Sequence, residues 1–204
     1  MIKRLLGMSL EKAGACMLVA TALLCGIAST AGFTPFARND QKGMDRILIA
    51  MLEHSPSASS FPVAKVIDGD TFVVKVRGGE ATIRLMGINT PETLDPRKPV
   101  QCFGPEASAH GHVLLDGTTV SLALDHTSSS LDKYGRVLAY ATLSDGISYN
   151  KAMIADGYAF EYTYKKAYER QKEFRKTQAA AKAAAIGLWS PSTCGGKLIP
   201  RKIS

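Results

Sequence analysis

Three short strands separated by tight turns constrain the fold of this chain more than any other feature of its sequence. The strand patterns cover residues 63–67, 71–76 and 81–86, and an Asp-Gly-Asp turn and an Arg-Gly-Gly turn separate them. In residues 71–76 apolar and polar side chains alternate, as they do in a strand with one buried face. Three consecutive strands of this length predict a meander within a small barrel.

Helical and strand patterns continue through the rest of the chain. Pro105 suits the first turn of a helix, and Gly187 is expected to cap the end of the last helix. Five strands and three helices in total define an α+β fold. A five-stranded oligonucleotide-binding (OB) barrel is favoured, because its open face accommodates single strands. The helices are predicted at 105–115, 149–155 and 166–186, and the further strands at 118–124 and 136–143.

The first 31 residues have the order of segments found in a secretory signal. A basic flank precedes an uncharged stretch from 13 to 36, within which small residues occupy 28–31. A signal peptide cleaved after Ala31 accounts for this order. The stretch is also long enough for an uncleaved membrane anchor, and a buried helix is a third alternative. Both alternatives with export place the remainder of the chain outside the cytoplasm, in the periplasm, in the medium or on a membrane.

The remaining chain divides into three parts. Residues 32–60 are interpreted as a linker or weakly docked arm, because a Ser-rich stretch ends it. A short amphipathic helix is predicted within this arm, at 44–53. Residues 61–190 form the folded domain, and residues 191–204 form a C-terminal tail.

Two of the four cysteines lie in the apolar leader, so only Cys102 and Cys194 remain in the rest of the chain. In an exported protein such a pair can form a disulfide, which would tie the tail to the first helix of the domain. Two separate thiols are the alternative. Neither cysteine has the closely spaced Cys or His that a zinc site needs.

The net charge of +7 favours a polyanionic partner, either nucleic acid or an anionic membrane. A membrane contact would involve the N-terminal segment. A soluble protein that is simply basic is the alternative that charge alone leaves open.

Three segments concentrate polar side chains at predicted strand ends: 68–71, Arg84 with 89–92, and 132–136. Phosphodiester hydrolysis uses such groups. Arginine forks bind phosphate oxygens, a divalent cation neutralises charge, and a carboxylate takes the proton of the attacking water. Taken singly, each of these residues is as well explained as a solvated turn or strand residue.

In their order and spacing, these motifs resemble those of the staphylococcal nuclease (thermonuclease) family. The match spans residues 61–190 of the chain. The resemblance implies a calcium-dependent enzyme that cleaves single-stranded DNA and RNA with little sequence preference, leaving 3′-phosphate ends. We expect the protein to be a monomer. The matching segments are IDGDT (67–71), IRLMGINTPET (83–93), FGPEAS (103–108), DKYGR (132–136), LAY (138–140) and GLW (187–189).

The resemblance also implies roles for single residues. Arg84 and Arg136 would bind the scissile phosphate and stabilise its transition state, and Glu92 would activate the attacking water. The implied Ca²⁺ site consists of Asp70, Asn89 and the backbone carbonyl of Thr90, with Asp68 acting through water. The implied nucleotide contacts are Lys133, Tyr134, Tyr162 and Tyr164, although the two last tyrosines need a one-residue gap to align and are equally explained by packing.

Asn89 departs from the family pattern, which usually has an aspartate ligand at this position. Asparagine supplies an oxygen at similar reach but no negative charge, so we expect weaker calcium binding without loss of the site. An envelope-associated OB module that binds nucleic acid but cleaves it poorly, or not at all, is therefore the alternative function. The presence of Arg84, Glu92 and Arg136 together favours the enzyme.

Overall fold

The computed structural model describes residues 41–54 and 59–201 of the chain. The predicted export segment at 1–31 and the Ser-rich positions 55–58 lie outside these ranges. Among the described helices, none has the length and hydrophobicity needed to cross a bilayer. In chain order the elements are α1 (Gln41–His54), β1 (Ser60–Asp68), β2 (Thr71–Val76), β3 (Gly79–Leu85), β4 (Ile88–Asn89), α2 (Gly104–Leu115), β5 (Thr119–Leu124), β6 (Val137–Leu143), α3 (Tyr149–Ala155), β7 (Phe160–Glu161), α4 (Gln171–Ala183) and a 3-10 turn at Gly187–Trp189.

Five of the strands close into a barrel in the order β1-β2-β3-β6-β5, and β5 pairs with β1. Strands β1, β2 and β3 form the predicted antiparallel meander, whereas β3 and β6 run parallel. A closed five-stranded barrel with surrounding helices agrees with the α+β, OB-type fold expected from the sequence. Apolar side chains from every barrel strand fill the interior, among them Phe61, Phe72, Val74, Ile83, Leu85, Leu122 and Ala139.

Helix α1 differs from the loosely attached arm expected at this position, and it raises the number of helices in the domain to four. Its Leu48 and Leu52 belong to the core and are only 0% and 3% exposed. Met44 lies against Gly79, where an added Cβ would come within 2.8 Å of the methionine sulfur. Burying two leucines contributes roughly 3–6 kcal/mol relative to leaving them exposed. The amphipathic pattern predicted the helix, but it did not show which surface the apolar face would meet.

The last long helix, α4, is shorter than the predicted range 166–186. It begins at Gln171 and ends at Ala183. The segment before it turns inward, because the buried side chain of Tyr168 donates a hydrogen bond to the carbonyl of Gly87 at 3.2 Å. A tertiary contact therefore overrides the helix propensity of residues 166–170.

Gly187 does not cap α4, contrary to the expectation from sequence. The cap is Ala184, and Gly187 opens the 3-10 turn with a positive φ of 58°. Its backbone packs directly on that of Gly157, and a Cβ at either position would collide with the other segment. Close approach of two backbones explains this glycine.

Strands β4 and β7 form a separate two-stranded ribbon, in which Asn89 lies opposite Phe160. The amide of Tyr162 extends the pairing by donating to the carbonyl of Gly87 at 2.9 Å. The ribbon therefore brings the residues after β7 next to the segment that follows β3.

The C-terminal tail is fastened to the segment that precedes α2. A disulfide joins Cys102 to Cys194, which are 92 positions apart. Beyond the disulfide, residues 199–201 run antiparallel to residues 100–102 and form two backbone hydrogen bonds of 2.8 Å with them. A crosslink over so long a loop stabilises a fold by about 2–5 kcal/mol.

Candidate active site

A cleft of about 950 Å³ contains every residue to which the sequence assigned a chemical role. It lies where β2, β3 and β6 meet the loops that follow β4 and β7. Its lining includes the two predicted arginines, the predicted base, the predicted calcium ligands and the predicted nucleotide contacts: Arg84, Arg136, Glu92, Asp68, Asp70, Asn89, Thr90, Lys133, Tyr134, Tyr162 and Tyr164.

Strand pairing explains how residues far apart in the sequence reach one cleft. Arg84 on β3 lies opposite Thr71 on β2 and opposite Leu138 on β6. Asp70 comes one residue before Thr71, and Arg136 comes two residues before Leu138. Because residues two apart share a face of a strand, Arg136 is on the same side as Leu138 and Arg84. Asp70 reaches Arg84 from the turn before β2, where its Oδ2 lies 3.1 Å from Arg84 Nη2.

Asp70 is a buried carboxylate with partners on both oxygens, and it is 6% exposed. Its Oδ1 accepts a hydrogen bond from Thr71 Oγ1 at 2.9 Å. Its Oδ2 accepts from the amide of Thr90 at 2.9 Å and pairs with Arg84 Nη2 at 3.1 Å. These bonds compensate for burial of the charge and join the turn before β2 to the segment after β4.

Arg84 is held in one orientation by four oxygen atoms, and its side chain is 13% exposed. Nη1 donates to the carbonyls of Leu85 at 2.7 Å and Ile88 at 2.9 Å. Nη2 contacts Asp70 and also donates to Asn89 Oδ1 at 3.3 Å. A guanidinium fixed in this way loses little entropy when it binds an anion.

The oxygens beside Arg84 fit a hard divalent cation. Asp70 Oδ2 and Asn89 Oδ1 lie close together, since Arg84 Nη2 is 3.1 Å from the first and 3.3 Å from the second. The carbonyl of Thr90 is adjacent, because it accepts from Asn89 Nδ2 at 3.2 Å. Carboxylate, amide and carbonyl oxygens are the ligand types that calcium prefers. The described residues contain no metal-binding group of three or more His, Cys, Asp or Glu, so this site would depend on neutral oxygens as well.

Asp68 lies in the same turn as Asp70 and accepts a hydrogen bond from the Asp70 amide at 3.0 Å. Burial, together with the neighbouring charge of Asp70, raises the pKa of Asp68 to about 7. The ionised form of Asp68 is therefore unfavourable in the native protein when no cation is close by.

Asp68→Asn should stabilise the calcium-free protein at pH 8. The pKa of Asp68 is higher in the folded than in the unfolded chain. Ionisation of Asp68 therefore lowers the free energy of unfolding as the pH rises from about 4 to about 7. Asparagine keeps the Oδ1 acceptor but cannot ionise, so we expect a gain on the order of 1–3 kcal/mol at pH 8 that disappears towards pH 4. Urea unfolding in chelator at both pH values measures the gain.

Asp145→Asn is the matched control for this prediction. Asp145 is exposed, and its Oδ1 accepts a backbone hydrogen bond two residues ahead, from Ile147 at 3.0 Å, as Asp68 does. The control should show no comparable gain at pH 8. A gain for Asp68→Asn that is the same at pH 4 would contradict the explanation based on ionisation.

Glu92 lies in the loop after β4 with its carboxylate anchored by the backbone of its own loop. Its Oε1 accepts from the amides of Thr93 at 3.0 Å, Leu94 at 2.9 Å and Asp95 at 3.1 Å. One oxygen thus fixes the carboxylate, and the other, Oε2, has no hydrogen-bond partner among the described residues.

Arg136 is oriented by Asp132, a residue that the sequence motif contained but to which no role was assigned. The Nε of Arg136 donates to Asp132 Oδ2 at 2.7 Å, and its Nη2 contacts the same oxygen at 2.6 Å. Asp132 Oδ1 accepts from the amides of Tyr134 and Arg136, which closes the turn before β6. The signal for this role was the aspartate that opens a tight turn four residues before an arginine.

The four predicted nucleotide contacts lie along the open side of the cleft. Tyr134, Tyr162 and Tyr164 are 68%, 44% and 66% exposed. The rings of Tyr162 and Tyr164 are 6.4 Å apart, so they are neighbours at the surface and not part of the core. Lys133 lies over the Tyr134 ring at 4.8 Å, and its hydrogen bond lowers the pKa of Tyr134.

Additional basic residues in the cleft were not predicted. Arg97 and Lys98 come from the loop after Glu92, and Lys165 and Lys166 come from the segment after Tyr164. Arg97 is held by two hydrogen bonds to Asp95, of 2.8 and 3.0 Å. Isolated basic residues in polar loops give no signal in sequence, because only the folded chain shows that they share a cleft.

The fold and the cleft together define a class of protein: a small closed five-stranded barrel with two arginines and several carboxylate, amide and carbonyl oxygens in one cleft. This chain belongs to the staphylococcal nuclease family, since the family described as Staphylococcal nuclease homologue matches residues 82–191. Asp68 and Asp70 precede the matched range, so their assignment depends on the motif and on the contacts described above.

Curated relatives agree with this placement. The Thermonuclease of Staphylococcus hyicus is 34% identical over 131 residues, which is 64% of this chain and 76% of that protein. The Endonuclease YncB of Bacillus subtilis (strain 168) is 34% identical over 129 residues, 63% of this chain and 60% of the relative. The SPbeta prophage-derived endonuclease YokF of the same organism is 34% identical over 127 residues, 62% of this chain but only 42% of the relative.

Proposed function

We propose that this protein is a calcium-dependent nuclease that hydrolyses phosphodiester bonds of single-stranded DNA or RNA with low sequence specificity. The proposal is carried by one observation: two fixed guanidinium groups and an anchored carboxylate line the same cleft as a set of cation-type oxygens. Family membership and the nuclease names of the relatives support the reaction class.

Three side chains carry the proposed reaction. Arg84 and Arg136 bind the phosphate oxygens, where negative charge increases as phosphorus becomes five-coordinate. Glu92 takes the proton of the attacking water through Oε2 while Oε1 stays on its three amides. The water oxygen bonds to phosphorus, the bond from phosphorus to the leaving oxygen breaks, and that oxygen takes a proton from solvent. Asp132 keeps Arg136 in position throughout.

The cation ligands proposed for calcium are Asp70, Asn89 and the carbonyl of Thr90, with Asp68 acting through water. Calcium, when bound, supplies positive charge that offsets the repulsion between an anionic phosphate and the approaching water. Asp70 is well prepared for this role because its Oδ2 is already fixed by the Thr90 amide at 2.9 Å.

Single strands suit the open side of the cleft. The three exposed tyrosines offer ring faces on which unpaired bases stack, and stacking tolerates any base. The surrounding lysines and arginines bind the phosphate backbone without reading sequence. Low sequence specificity follows from both contacts.

Asn89→Asp should tighten calcium binding about 3- to 10-fold, because a charged ligand replaces a neutral one. The gain is limited because Arg84 Nη2 contacts the same oxygen at 3.3 Å and would pair with the new carboxylate. Isothermal titration of calcium into both proteins measures the change. Ser192→Asp adds the same charge outside the cleft and should leave calcium affinity within about twofold of the parent. Equal affinities for Asn89→Asp and the parent would contradict this role of Asn89.

We also propose that the protein is exported and acts as a monomer, either secreted, periplasmic or anchored in a membrane with the nuclease domain outside the cytoplasm. The leader at 1–31 supports this proposal, as does the Cys102–Cys194 disulfide, since such bonds persist in oxidising compartments. The mass of the protein recovered from the cell envelope and the medium distinguishes cleaved from uncleaved forms.

The decisive assay compares cleavage of single-stranded DNA and RNA with calcium and with chelator. We expect rapid cleavage with calcium and none with chelator. Binding of single-stranded DNA without calcium-dependent cleavage would overturn the proposal and favour the OB binding module instead.

A further inference from the structure

Gln101 holds both backbone polar groups of Glu92. The amide of Glu92 donates to Gln101 Oε1 at 2.8 Å, and the carbonyl of Glu92 accepts from the Gln101 amide at 2.8 Å. Gln101 does not itself line the cleft. It can therefore influence chemistry in the cleft only through the residue that it holds.

The start of α2 packs against the backbone of Glu92 from another side. A Cβ at Gly104 would lie 2.7 Å from Thr93 Cγ2 and 3.0 Å from the carbonyl oxygen of Glu92. Gly104 also donates its amide to the carbonyl of Gln101 at 3.0 Å. The backbone of Glu92 is thus enclosed by Gln101 and by the first turn of α2.

Gln101 is in turn held by the C-terminal tail. It lies opposite Pro200 in an isolated antiparallel bridge. On one side the Cys102 amide donates to the carbonyl of Ile199, and on the other the Arg201 amide donates to the carbonyl of Val100, both at 2.8 Å. Cys102, the residue after Gln101, is linked covalently to Cys194 in the tail. Arg201 in the tail pairs with Glu106 on α2 at 3.1 Å.

We propose that Gln101, clamped by the disulfide-linked C-terminal tail, is the positioning residue of Glu92, and that the tail is therefore part of the catalytic machinery. The inference rests on the proposed function of Glu92 as the base. A general base acts only within hydrogen-bond reach of its water, and a misplacement of about 1 Å can cost 100-fold in rate. The two hydrogen bonds with Gln101 hold the backbone of Glu92 and so set the position of its carboxylate.

Gln101→Met and Gln101→Glu test the inference as a pair. Methionine keeps the length of the side chain but removes the acceptor, so kcat should fall about 10- to 100-fold while KM changes less than about twofold. Glutamate keeps an acceptor for the Glu92 amide and should restore most of kcat. A purely structural role predicts a lower melting temperature with unchanged kcat below the unfolding transition, and that result would overturn the inference.

A double-mutant cycle shows whether Gln101 acts through Glu92. In the Glu92→Gln background, Gln101→Met should have no further effect on kcat, because the group that it positions is already inactive. The same fold-loss in both backgrounds would overturn the inference.

Removal of the disulfide tests the contribution of the C-terminal tail. Cys102→Ser combined with Cys194→Ser should lower kcat, as Gln101→Met does. Dithiothreitol should lower kcat of the parent but leave kcat of this double variant unchanged.

Hydrogen exchange keeps this test separate from the test of the proposed function. In Gln101→Met the amides of Glu92, Thr93, Leu94 and Asp95 should exchange faster than in the parent, whatever Glu92 does chemically. If Glu92→Gln kept the parental rate, the role proposed for Glu92 would be wrong. Unchanged exchange in Gln101→Met would instead show that Gln101 does not hold this loop.

Discussion

Glu92→Gln is expected to lower kcat for single-stranded DNA by about 10²- to 10⁴-fold, the usual contribution of a general base. The amide oxygen of glutamine can still accept the three backbone hydrogen bonds that Oε1 accepts in the parent. The loop therefore keeps its shape while the proton acceptor is lost. Single-turnover cleavage with saturating calcium measures the chemical step directly.

The control for Glu92→Gln is the same substitution at Glu173, which is exposed, pairs with Lys151 at 2.8 Å and does not line the cleft. Glu173→Gln should cleave at the parental rate. Calcium affinity and melting temperature should be close to the parental values in both variants. A Glu92→Gln protein that cleaves within about threefold of the parent would remove Glu92 from the proposed mechanism.

Arg136→Lys should lower kcat/KM by about 10²- to 10³-fold, although it keeps the positive charge. Lysine cannot reproduce a planar fork that holds Asp132 and still presents further N–H groups to a phosphate. The loss should appear mainly in kcat, because the charge on the phosphate oxygens is greatest in the transition state. Steady-state kinetics over a range of substrate concentrations separates kcat from KM.

Arg175→Lys is the matched control for Arg136→Lys. Arg175 is an exposed arginine of α4 that pairs with Glu161 at 3.5 Å and lies outside the cleft lining. Its substitution should change kcat/KM by less than about twofold. If Arg136→Lys raised KM and left kcat unchanged, Arg136 would contribute uniform binding and not transition-state stabilisation.

The parts of the molecule that were predictable from sequence are those with strong local signals. The alternation in residues 71–76 and the Asp-Gly and Gly-Gly turns defined the meander, and helix α3 was predicted with the bounds that it has. The motif around Arg84 and the motif that ends at Arg136 indicated the chemistry because their spacing matched a family. These signals are local in the sequence, which is why they could be interpreted without coordinates.

What the sequence did not reveal depends on contacts between distant segments. The docking of Leu48, the inward turn at Tyr168 and the packing of Gly187 on Gly157 are all long-range contacts. The position of Gln101 beside Glu92 belongs to the same group, since a glutamine in a polar loop has many equivalent interpretations. Tertiary contacts decide such positions, and local propensity carries no information about them.

The parallel pairing of β3 with β6 has a consequence for how this protein acquires activity. Arg84 on β3 and Arg136, which directly precedes β6, come together only after a segment of more than fifty residues has been looped back to the first three strands. A nascent chain that ends before Arg136 lacks one of the two arginines proposed to bind the phosphate, so we expect no cleavage from it. Barrel closure is slow in proteins rich in non-local contacts. We therefore expect hydrolytic activity to appear some time after the polypeptide has been synthesised, once the barrel has closed.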